Sequence, residues 1–191
     1  MKAILKKIIY MICWVFISPL VALQKVTGSR ELFAGQAQLL ALCPGKIGSY
    51  LRVAYYVPTL NSCSRDMYIG FGSFFAHPEA EVGLGVYIGA YCIIGMAKID
   101  KHATIGSNVH ILSGKQQHGY KEIGKPIQQQ AGCFTSISIG ENCWIGNSSV
   151  IMANLGRQNV IGAGSVVLNA TGDYEMLAGN PAALIKMIVK T

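Results

Sequence analysis

The stretch "ISIGENCWIGNSSVIMANLGRQNVIGAGS", residues 137–165, places an aliphatic residue at almost every sixth position. These residues are Ile139, Ile145, Ile151, Leu155 and Ile161, with one shortened interval of four between Ile151 and Leu155. A period of six fits neither the 3.6-residue turn of an α-helix nor the two-residue alternation of an ordinary strand. It is typical of a triangular solenoid, in which each six-residue unit forms one flat side and points its aliphatic residue inward.

The same period extends back to Met67. Its earlier members are Ile69, Val82, Ile88, Ile94, Ile99, Ile105 and Ile111. The fourth residue after an aliphatic is usually small or apolar, as at Cys92, Val109, Cys143 and Ser149. We therefore interpret these two cysteines as small core residues. The six cysteines include no C-x-x-C pair, which indicates a reducing compartment without a disulfide framework or a zinc site.

Together with the continuation "VVLNATGDYEMLAGNPAALIKMI", residues 166–188, this block resembles the last coils of the hexapeptide-repeat acyltransferases of the sugar and polysaccharide O-acetyltransferase type. The resemblance runs from about Met67 to the end of the chain. It implies a mainly β fold, a left-handed parallel β-helix over residues 67–180, followed by a C-terminal helix over residues 181–191. With the interruption at residues 113–136 set aside, the length predicts about four coils.

The interruption reads "SGKQQHGYKEIGKPIQQQAGCFTS", residues 113–136, and a long polar loop in a compact domain is usually functional. The resemblance implies a homotrimer in which the acyl donor lies between adjacent copies and this loop reaches over the cleft. His118 in "LSGKQQH" is similar to the family's loop histidine, so we predict it as the general base, a role suited to histidine because the unperturbed pKa of an imidazole is about 6.5. His110, in an outward slot before Ile111, is the alternative base.

The resemblance also implies acetyl-CoA as the co-substrate, bound at the last coils. Trp144 corresponds to the tryptophan of the family's "WIG" beside the donor, although packing between copies would equally explain an exposed tryptophan there. The other predicted contacts are backbone groups of Gly146, Ala163, Gly164 and Ser165 for the pantetheine arm, and Lys186 near the nucleotide phosphates.

No metal is expected from this sequence. Some β-helices of this kind bind zinc between subunits through three histidines. His102, His110 and His118 are evenly spaced by eight residues, which does not resemble that ligand pattern. The sequence therefore predicts no metal centre.

Residues 1–66 form a basic, apolar and helical segment. They carry six of the seven net positive charges. Lys2, Lys6 and Lys7 directly precede the uncharged run Ile8–Leu23, a pattern that favours a membrane surface over nucleic acid. The run is shorter than the roughly 20 residues of a spanning helix and contains a proline, so spanning, re-entrant and interfacial helices all remain open.

Two further short helices are predicted from "ELFAGQAQLLALCPGK" and "KIGSYLRVAYYVP". In the latter, Ile47, Leu51, Ala54 and Tyr55 form one apolar stripe, and Arg52 lies off it. A stripe of this kind predicts a helical cap on the main domain or a platform lying on the membrane, and the two are compatible.

The predicted function is acetyl-CoA-dependent O-acetyl transfer, directly and without an acyl-enzyme, to a sugar hydroxyl of a lipid-linked glycan or surface-polysaccharide precursor. The sequence identifies neither the acceptor nor the acetylated position nor the preferred acyl chain. The expected location is the cytoplasmic face of the inner (plasma) membrane, with peripheral or monotopic attachment. The alternatives are an N-acetyltransferase acting on an aminosugar nucleotide or small amine, and a non-catalytic trimeric scaffold.

Overall fold

Three helices precede the strands and cover one end of the molecule. The computed structural model describes residues 2–188, with the backbone alone for residues 2–7. The helices are α1 (Lys2–Thr27), α2 (Arg30–Ala41) and α3 (Gly45–Thr59). Ser29 begins α2 by accepting a hydrogen bond from the Leu32 N–H at its Oγ, 3.1 Å away, as expected of an N-cap residue. The predicted helical N-terminal segment is therefore confirmed.

The remaining described residues form short strands, most of them two residues long. The first nine are β1 (Ser62–Cys63), β2 (Tyr68–Ile69), β3 (Phe74–Phe75), β4 (Glu81–Val82), β5 (Tyr87–Ile88), β6 (Ile93–Ile94), β7 (Ala97–Ile99), β8 (Thr104–Ile105) and β9 (His110–Ile111). After the long loop come β10 (Ile137–Ile139), β11 (Trp144–Ile145), β12 (Val150–Ile151), β13 (Val160–Ile161), β14 (Val166–Val167), β15 (Glu175–Gly179) and β16 (Ala182–Met187).

The strands build three parallel sheets, one for each side of a prism. The first sheet contains β1, β4, β7 and β10, and the third contains β3, β6, β9, β12 and β14. The second contains β2, β5, β8, β11, β13 and β15, with β16 added antiparallel at its edge. The predicted parallel β-helix is therefore confirmed. It has about six coils, where the sequence predicts about four, because the first coil already begins at Ser62 and the last one runs on to Gly179.

The core of the prism is a set of stacked aliphatic columns. In the second sheet the column consists of Ile69, Ile88, Ile105, Ile145 and Ile161, each at most 1% exposed. Burial of each such side chain contributes about 1.5 to 3 kcal/mol before entropy costs are counted. The small residues between columns, Cys92, Val109, Cys143 and Ser149, are also buried, as the repeat predicts.

The three corners of the prism differ in how strictly they keep their length. The first corner joins the first sheet to the second, and the second corner joins the second sheet to the third. At both, inward residues follow each other at six, as in Val82, Ile88 and Ile94. At the third corner, which returns the chain to the first sheet, the interval is five from Ile94 to Ile99 and four from Ile151 to Leu155. All variation in coil length is therefore confined to one corner.

The helices attach to the first coil through a buried arginine. Arg52 of α3 has no exposed surface, and its guanidinium donates to the carbonyl oxygens of Leu40 (2.9 Å), Cys43 (2.8 Å) and Ile69 (2.9 Å). The carbonyls at the end of α2 need donors, and this side chain supplies them. The predicted apolar stripe of α3 is thus wrong at two residues. Arg52, which the pattern places off the stripe, is buried, and Ile47, which the pattern places on it, is 68% exposed.

The predicted C-terminal helix over residues 181–191 is also wrong. Residues 182–187 form β16, which pairs antiparallel with β15 after the turn Asn180–Pro181. The last coil would otherwise leave the backbone groups of β15 unpaired, and a returning strand satisfies them where a helix would not. Tertiary pairing therefore overrides helix propensity here. Residues 189–191 of the predicted helix lie outside the described residues.

Candidate active site

The long loop leaves the prism at the third corner, between β9 and β10, through a closed neck. The Thr135 N–H donates to the Ser113 carbonyl (3.0 Å), and the Cys133 N–H donates to the Gln116 carbonyl (2.6 Å). The Oγ of Ser113 also accepts from the Met96 N–H (2.9 Å) on the preceding coil. The two sides of the neck are therefore bonded to each other, and Ser113 also bonds the neck to the preceding coil.

A single glutamine organises the tip of this loop. Gln130 is 7% exposed, its Oε1 accepts from the Glu122 N–H (3.0 Å), and its Nε2 donates to the carbonyls of Glu122 (3.0 Å) and Lys125 (2.9 Å). Lys125 and Glu122 also form an ion pair of 3.0 Å. A buried amide whose oxygen and nitrogen are both bonded rigidifies its surroundings, so the loop has a defined shape despite its polar composition.

The loop lies along the third corner and touches coils on either side of its root. The Phe134 ring packs edge-on against the His77 ring of an earlier coil, with centroids 5.7 Å apart. The Lys115 amine lies 3.5 Å from the Asn169 amide oxygen of a later coil. These contacts hold the loop against the prism, so His77 has a packing role as well as a place in the corner.

His118 lies on the outer part of the loop with its side chain exposed. It borders a depression of about 330 Å³. The lining residues are Gln116, Gly119, Tyr120, Lys121, Glu122, Gln130, Ala131, Gly132 and Cys133. The imidazole is thus accessible to a ligand, and a phenol, an amine and a carboxylate lie beside it. This placement fits a group that exchanges protons with a bound substrate.

His110, the alternative base, lies in a different environment. It occupies the outward position of β9, in register with Ile93 of β6 on one side and Val150 of β12 on the other. Its side chain is half-buried between these neighbours. Since β9 is the strand that leads into the corner where the loop leaves the prism, both histidines come from the same coil. The strand histidine is fixed in position, and the other is presented by the loop.

Trp144 and Lys186 share the outward side of the second sheet. Trp144 is 57% exposed and pairs with Val160, which pairs with Met176, which pairs with Lys186. Residues at directly opposed positions project to the same side of a sheet, with neighbouring strands about 4.8 Å apart. The structure therefore places the tryptophan and the lysine on one surface, three strands apart. A flat aromatic and a cation at that separation are suited to a long, partly anionic ligand.

The four predicted backbone contacts divide into two groups at the second corner. Ala163 and Gly164 are exposed, and Gly164 has a φ of +70° with open space where a Cβ would lie. Gly146 is buried, and a Cβ there would lie 2.5 Å from the Ala163 nitrogen, so coil stacking alone demands this glycine. The Ser165 side chain is fully buried, where its Oγ donates to the Gly162 carbonyl (2.6 Å). Only the first two residues offer accessible backbone.

The buried thiols have no features of nucleophiles. Burial raises the pKa of the Cys92 and Cys143 thiols, and it raises the pKa of Cys63 to about 12. The thiols of Cys92 and Cys143 donate to the carbonyls of Gly106 and Gly156, each at 3.0 Å. They act as small core residues that cap neighbouring backbone.

Potential metal ligands are dispersed. Within the described part of the chain, no three His, Cys, Asp or Glu side chains come together as a metal site. His102 lies at the first corner, His110 on the third sheet and His118 on the loop. The three histidines therefore occupy three different places on the prism.

Comparisons with known proteins identify the fold. No family model matches the chain. Serine acetyltransferase 2 of Arabidopsis thaliana is 32% identical over 117 residues, which cover 59% of this chain and 32% of that protein. A maltose O-acetyltransferase from Clostridium difficile 630 superposes with a TM-score of 0.74 at 20% identity, over 87% of this chain and 90% of its own. The chain has the fold of the hexapeptide-repeat acetyltransferases.

A second solved hexapeptide-repeat structure carries a ligand. The acetyltransferase VCA0836 of Vibrio cholerae, in complex with acetyl coenzyme A, superposes with a TM-score of 0.61 at 18% identity, over 82% of this chain and 86% of that one. The superposition with our chain thus covers 90% of the maltose O-acetyltransferase chain and 86% of the VCA0836 chain. The chain spans about a third of the length of the curated serine acetyltransferases that it matches.

Sequence reasoning missed part of the surface beside Trp144. Tyr68 and Tyr87 occupy the same outward row of the hexapeptide-repeat prism, and their rings stack with centroids 5.0 Å apart and planes 10° apart. The sequence contains a sign of these two tyrosines. In "YIG" at residues 68–70 and 87–89 an aromatic residue precedes the inward isoleucine and the glycine, as it does in "WIG" at residues 144–146. The aromatic side of the second sheet could therefore have been found by aligning the repeats.

Proposed function

We propose that this protein transfers an acetyl group from acetyl-CoA to a sugar hydroxyl, with His118 as the general base. The observation that carries the proposal is an exposed histidine on an ordered loop of a prism that shares its fold with a solved acetyl coenzyme A complex. The half-buried environment of His110 favours the loop histidine, because a base must reach the acceptor.

The reaction transfers one acyl group, and one proton passes from the acceptor to the base and then to the leaving group. The His118 imidazole takes the proton of the acceptor hydroxyl while the hydroxyl oxygen attacks the thioester carbonyl carbon. The new C–O bond forms, the C–S bond breaks, and the thiolate leaves with the bonding pair. The imidazolium then returns its proton to the thiolate, which gives an acetyl ester and free coenzyme A. A base whose pKa lies near neutrality can take the proton and give it back.

The donor site in this proposal lies on the second sheet and the second corner. Trp144 offers an apolar wall, the backbone of Ala163 and Gly164 offers close approach, and Lys186 offers a charge for the nucleotide phosphates. Gly146 and Ser165 support this surface from inside the prism. The proposed assembly is a homotrimer in which the loop of one copy covers the donor surface of the next.

The proposed acceptor is a lipid-linked glycan or surface-polysaccharide precursor at the cytoplasmic face of the inner (plasma) membrane. Residues Ile8–Thr27 of α1 form an apolar helix of 20 residues that is long enough to cross a membrane, and most of these residues are not buried in the protein. The first 66 residues also carry most of the net positive charge. An apolar and basic element of this kind favours attachment to anionic lipid.

The test uses full-length protein, native membranes and acetyl-CoA labelled in the acetyl group. Wild type is compared with His118→Ala and His110→Ala, and Gln128→Ala serves as a control because it is an exposed loop residue outside the depression. Label is followed into lipid-extractable and water-soluble products. Mild alkali then releases label held as an ester and leaves label held as an amide.

We expect alkali-labile, lipid-extractable label with wild type and Gln128→Ala, and a loss of about 100-fold or more with His118→Ala. Loss with His110→Ala alone would assign the base to the strand histidine. Alkali-stable label would assign the protein to N-acetyl transfer. Absence of transfer together with absence of acetyl-CoA binding would leave a trimeric scaffold as the better description.

A further inference from the structure

Helix α1 has a buried side and, opposite to it, an exposed apolar side. One side packs on the body of the protein through Cys13, Ile17, Val21 and Gln24, each at most 7% exposed. The opposite side carries Met11, Val15, Phe16, Leu23 and Val26, which are 49–85% exposed. From Ile8 to Leu23 the sequence contains no charged residue. A helix that faced water on this side would show charged and polar residues there.

The packing of α1 fixes its orientation relative to a membrane. Its buried side follows the body of the protein from Cys13 to Gln24, which is about three helical turns. The Gln36 amide also donates to the Leu20 carbonyl (3.2 Å) and joins α1 to α2. A helix covered along this length by a body rich in polar groups cannot also be surrounded by lipid, so α1 is suited to lie in the membrane surface.

A groove opens beside the exposed side of α1. It lies between α1 and the end of α3, has a volume of about 620 Å³, and is lined mostly by apolar side chains. Its lining residues are Tyr10, Met11, Ile12, Trp14, Val15, Val57, Pro58 and Arg65. The volume is in the range of sites that hold small molecules. Val57 and Pro58 of α3 contribute to its lining, so the groove is formed by two helices and not by the surface of α1 alone.

Among the residues that line this groove, Arg65 carries a positive charge. Arg65 has an exposed side chain, and its guanidinium lies 5.3 Å from the centre of the Tyr10 ring. The guanidinium thus lies over an aromatic ring that itself lines the groove, so the groove combines apolar walls with one positive charge. This combination matches one hydrocarbon chain joined to a phosphate.

We propose that the groove between α1 and α3 binds one anionic phospholipid, with a hydrocarbon chain against Trp14 and Val57 and the headgroup phosphate at Arg65. The exposed side of α1 then lies in the membrane surface around this lipid. A second copy of the chain is a less suitable occupant, because the exposed positions spread over nearly half of the helix circumference, and helix pairing uses a narrower seam. The proposal deepens the membrane attachment in the proposed function.

The experiment measures lipid binding without any acetyl transfer, so its outcome is independent of the enzymatic proposal. Trp144→Phe leaves Trp14 as the single tryptophan. This protein is titrated with dioctanoyl-phosphatidylglycerol below its critical micelle concentration, and Trp14 fluorescence is followed. Dioctanoyl-phosphatidylcholine tests the charge, and inorganic phosphate tests whether the anion alone suffices.

Three further substitutions are added to the Trp144→Phe protein. Arg65→Gln removes the cation, Val57→Phe fills the groove, and Lys98→Gln removes one exposed positive charge from the first sheet as a matched control. We expect saturable binding of phosphatidylglycerol, about fivefold weaker or more in Arg65→Gln, lost in Val57→Phe and unchanged in Lys98→Gln. Unfolding in urea checks that each variant is folded.

Several outcomes would overturn the proposal. They are the absence of a saturable signal with folded protein, equal affinity for the choline lipid, and equal effects of Arg65→Gln and Lys98→Gln. Saturation by inorganic phosphate with the same affinity would indicate an anion site without a lipid. Binding of phosphatidylglycerol together with failed acetyl transfer would support the lipid site and reject only the enzymatic proposal.

Discussion

The second and third corners of the prism follow opposite rules. At the second corner every coil keeps the six-residue interval, and the turning residues Gly72, Tyr91, Asn108, Ser148 and Gly164 stack on one another, with φ between 58° and 74°. The last four are each bonded to the coil before them, as in the Ser148 N–H to the Ser107 carbonyl (2.9 Å), whereas the Gly72 N–H of the first coil donates to the Ala41 carbonyl of α2 (2.9 Å). At the third corner the intervals vary, and one of them has become the 24-residue loop at residues 113–136.

The contrast between the two corners shows where a repetitive fold can gain a functional loop. A left-handed turn conformation repeated in register leaves no room for an extra residue, because one insertion would displace every ladder beyond it. The third corner lacks that column, so the chain can lengthen there while the sheets remain aligned. The candidate base His118 lies at the one corner where the fold tolerates a change in length.

The largest expected effect comes from removing the loop beyond its neck. Replacing residues 117–132 by Asn-Gly joins Gln116 to Cys133 through a two-residue turn and keeps the hydrogen bond between them. We expect acetyl transfer to native membranes to fall by about 100-fold or more, because His118 is removed. The free energy of unfolding in urea should change by about 1 kcal/mol or less. Retained activity would reject His118, and a loss of folding would make the loop a structural element.

The next effect compares equal insertions at two corners. Gly-Ser-Gly inserted after Ser148 interrupts the second corner and separates Val150 from its ladder partners, so we expect a loss of about 3 kcal/mol or more, at about 1 kcal/mol for each hydrogen bond. The same tripeptide inserted after Ala153 lengthens the third corner and should cost about 1 kcal/mol. Urea unfolding measures both. Equal losses would refute the difference between the corners.

A smaller effect separates inward and loop isoleucines. Ile145→Ala empties a position with no exposed surface and should destabilise the protein by about 2 to 5 kcal/mol. Ile127→Ala changes a loop residue that is 56% exposed and should stay within about 0.5 kcal/mol of wild type. The two proteins differ from wild type by the same chemical change, so their urea midpoints isolate burial. A large loss at Ile127 would show that the loop tip is part of a core.

The smallest effect concerns thiol reactivity at pH 8. Cys133 is exposed on the loop, whereas burial raises the pKa of Cys92 and Cys143, so a smaller fraction of those two thiols is ionised at this pH. We expect an aromatic disulfide reagent to modify Cys133 in a fast phase that disappears in Cys133→Ser. The coil thiols should react only after urea is added. Fast modification of Cys143 in folded protein would contradict the rigid coils.

The coils were predictable from sequence, and the exceptions have physical causes. Six-residue spacing specifies the inward columns because every coil repeats the same environment. The burial of Arg52 was not predicted because a charged side chain normally faces solvent. Here the carbonyl oxygens at the end of α2 and of Ile69 accept hydrogen bonds from it in place of water. The strand β16 was not predicted because it forms by pairing with the open edge of β15. That edge exists only in the assembled sheet and has no local sequence pattern.

The candidate site was predictable in part. The position of His118 on a polar loop follows from the break in the repeat, and the outward place of Trp144 follows from its slot before Ile145. The shape of the loop does not follow, since it depends on Gln130 bonding to backbone five and eight residues away. The inaccessible side chain of Ser165 was also missed, because a serine in a turn motif is indistinguishable by sequence from one that caps the core.

The antiparallel strand β16 also limits growth of the molecule. A parallel stack with a bare edge is a template on which further strands can add, as in filaments and amyloid. Here β16 reverses direction over β15 and carries Lys186 on its exposed side, so a parallel coil from another molecule does not find a strand of the direction that it needs. At the opposite end α2 and α3 cover the first coil. The prism is therefore stopped at both ends against end-to-end polymerisation.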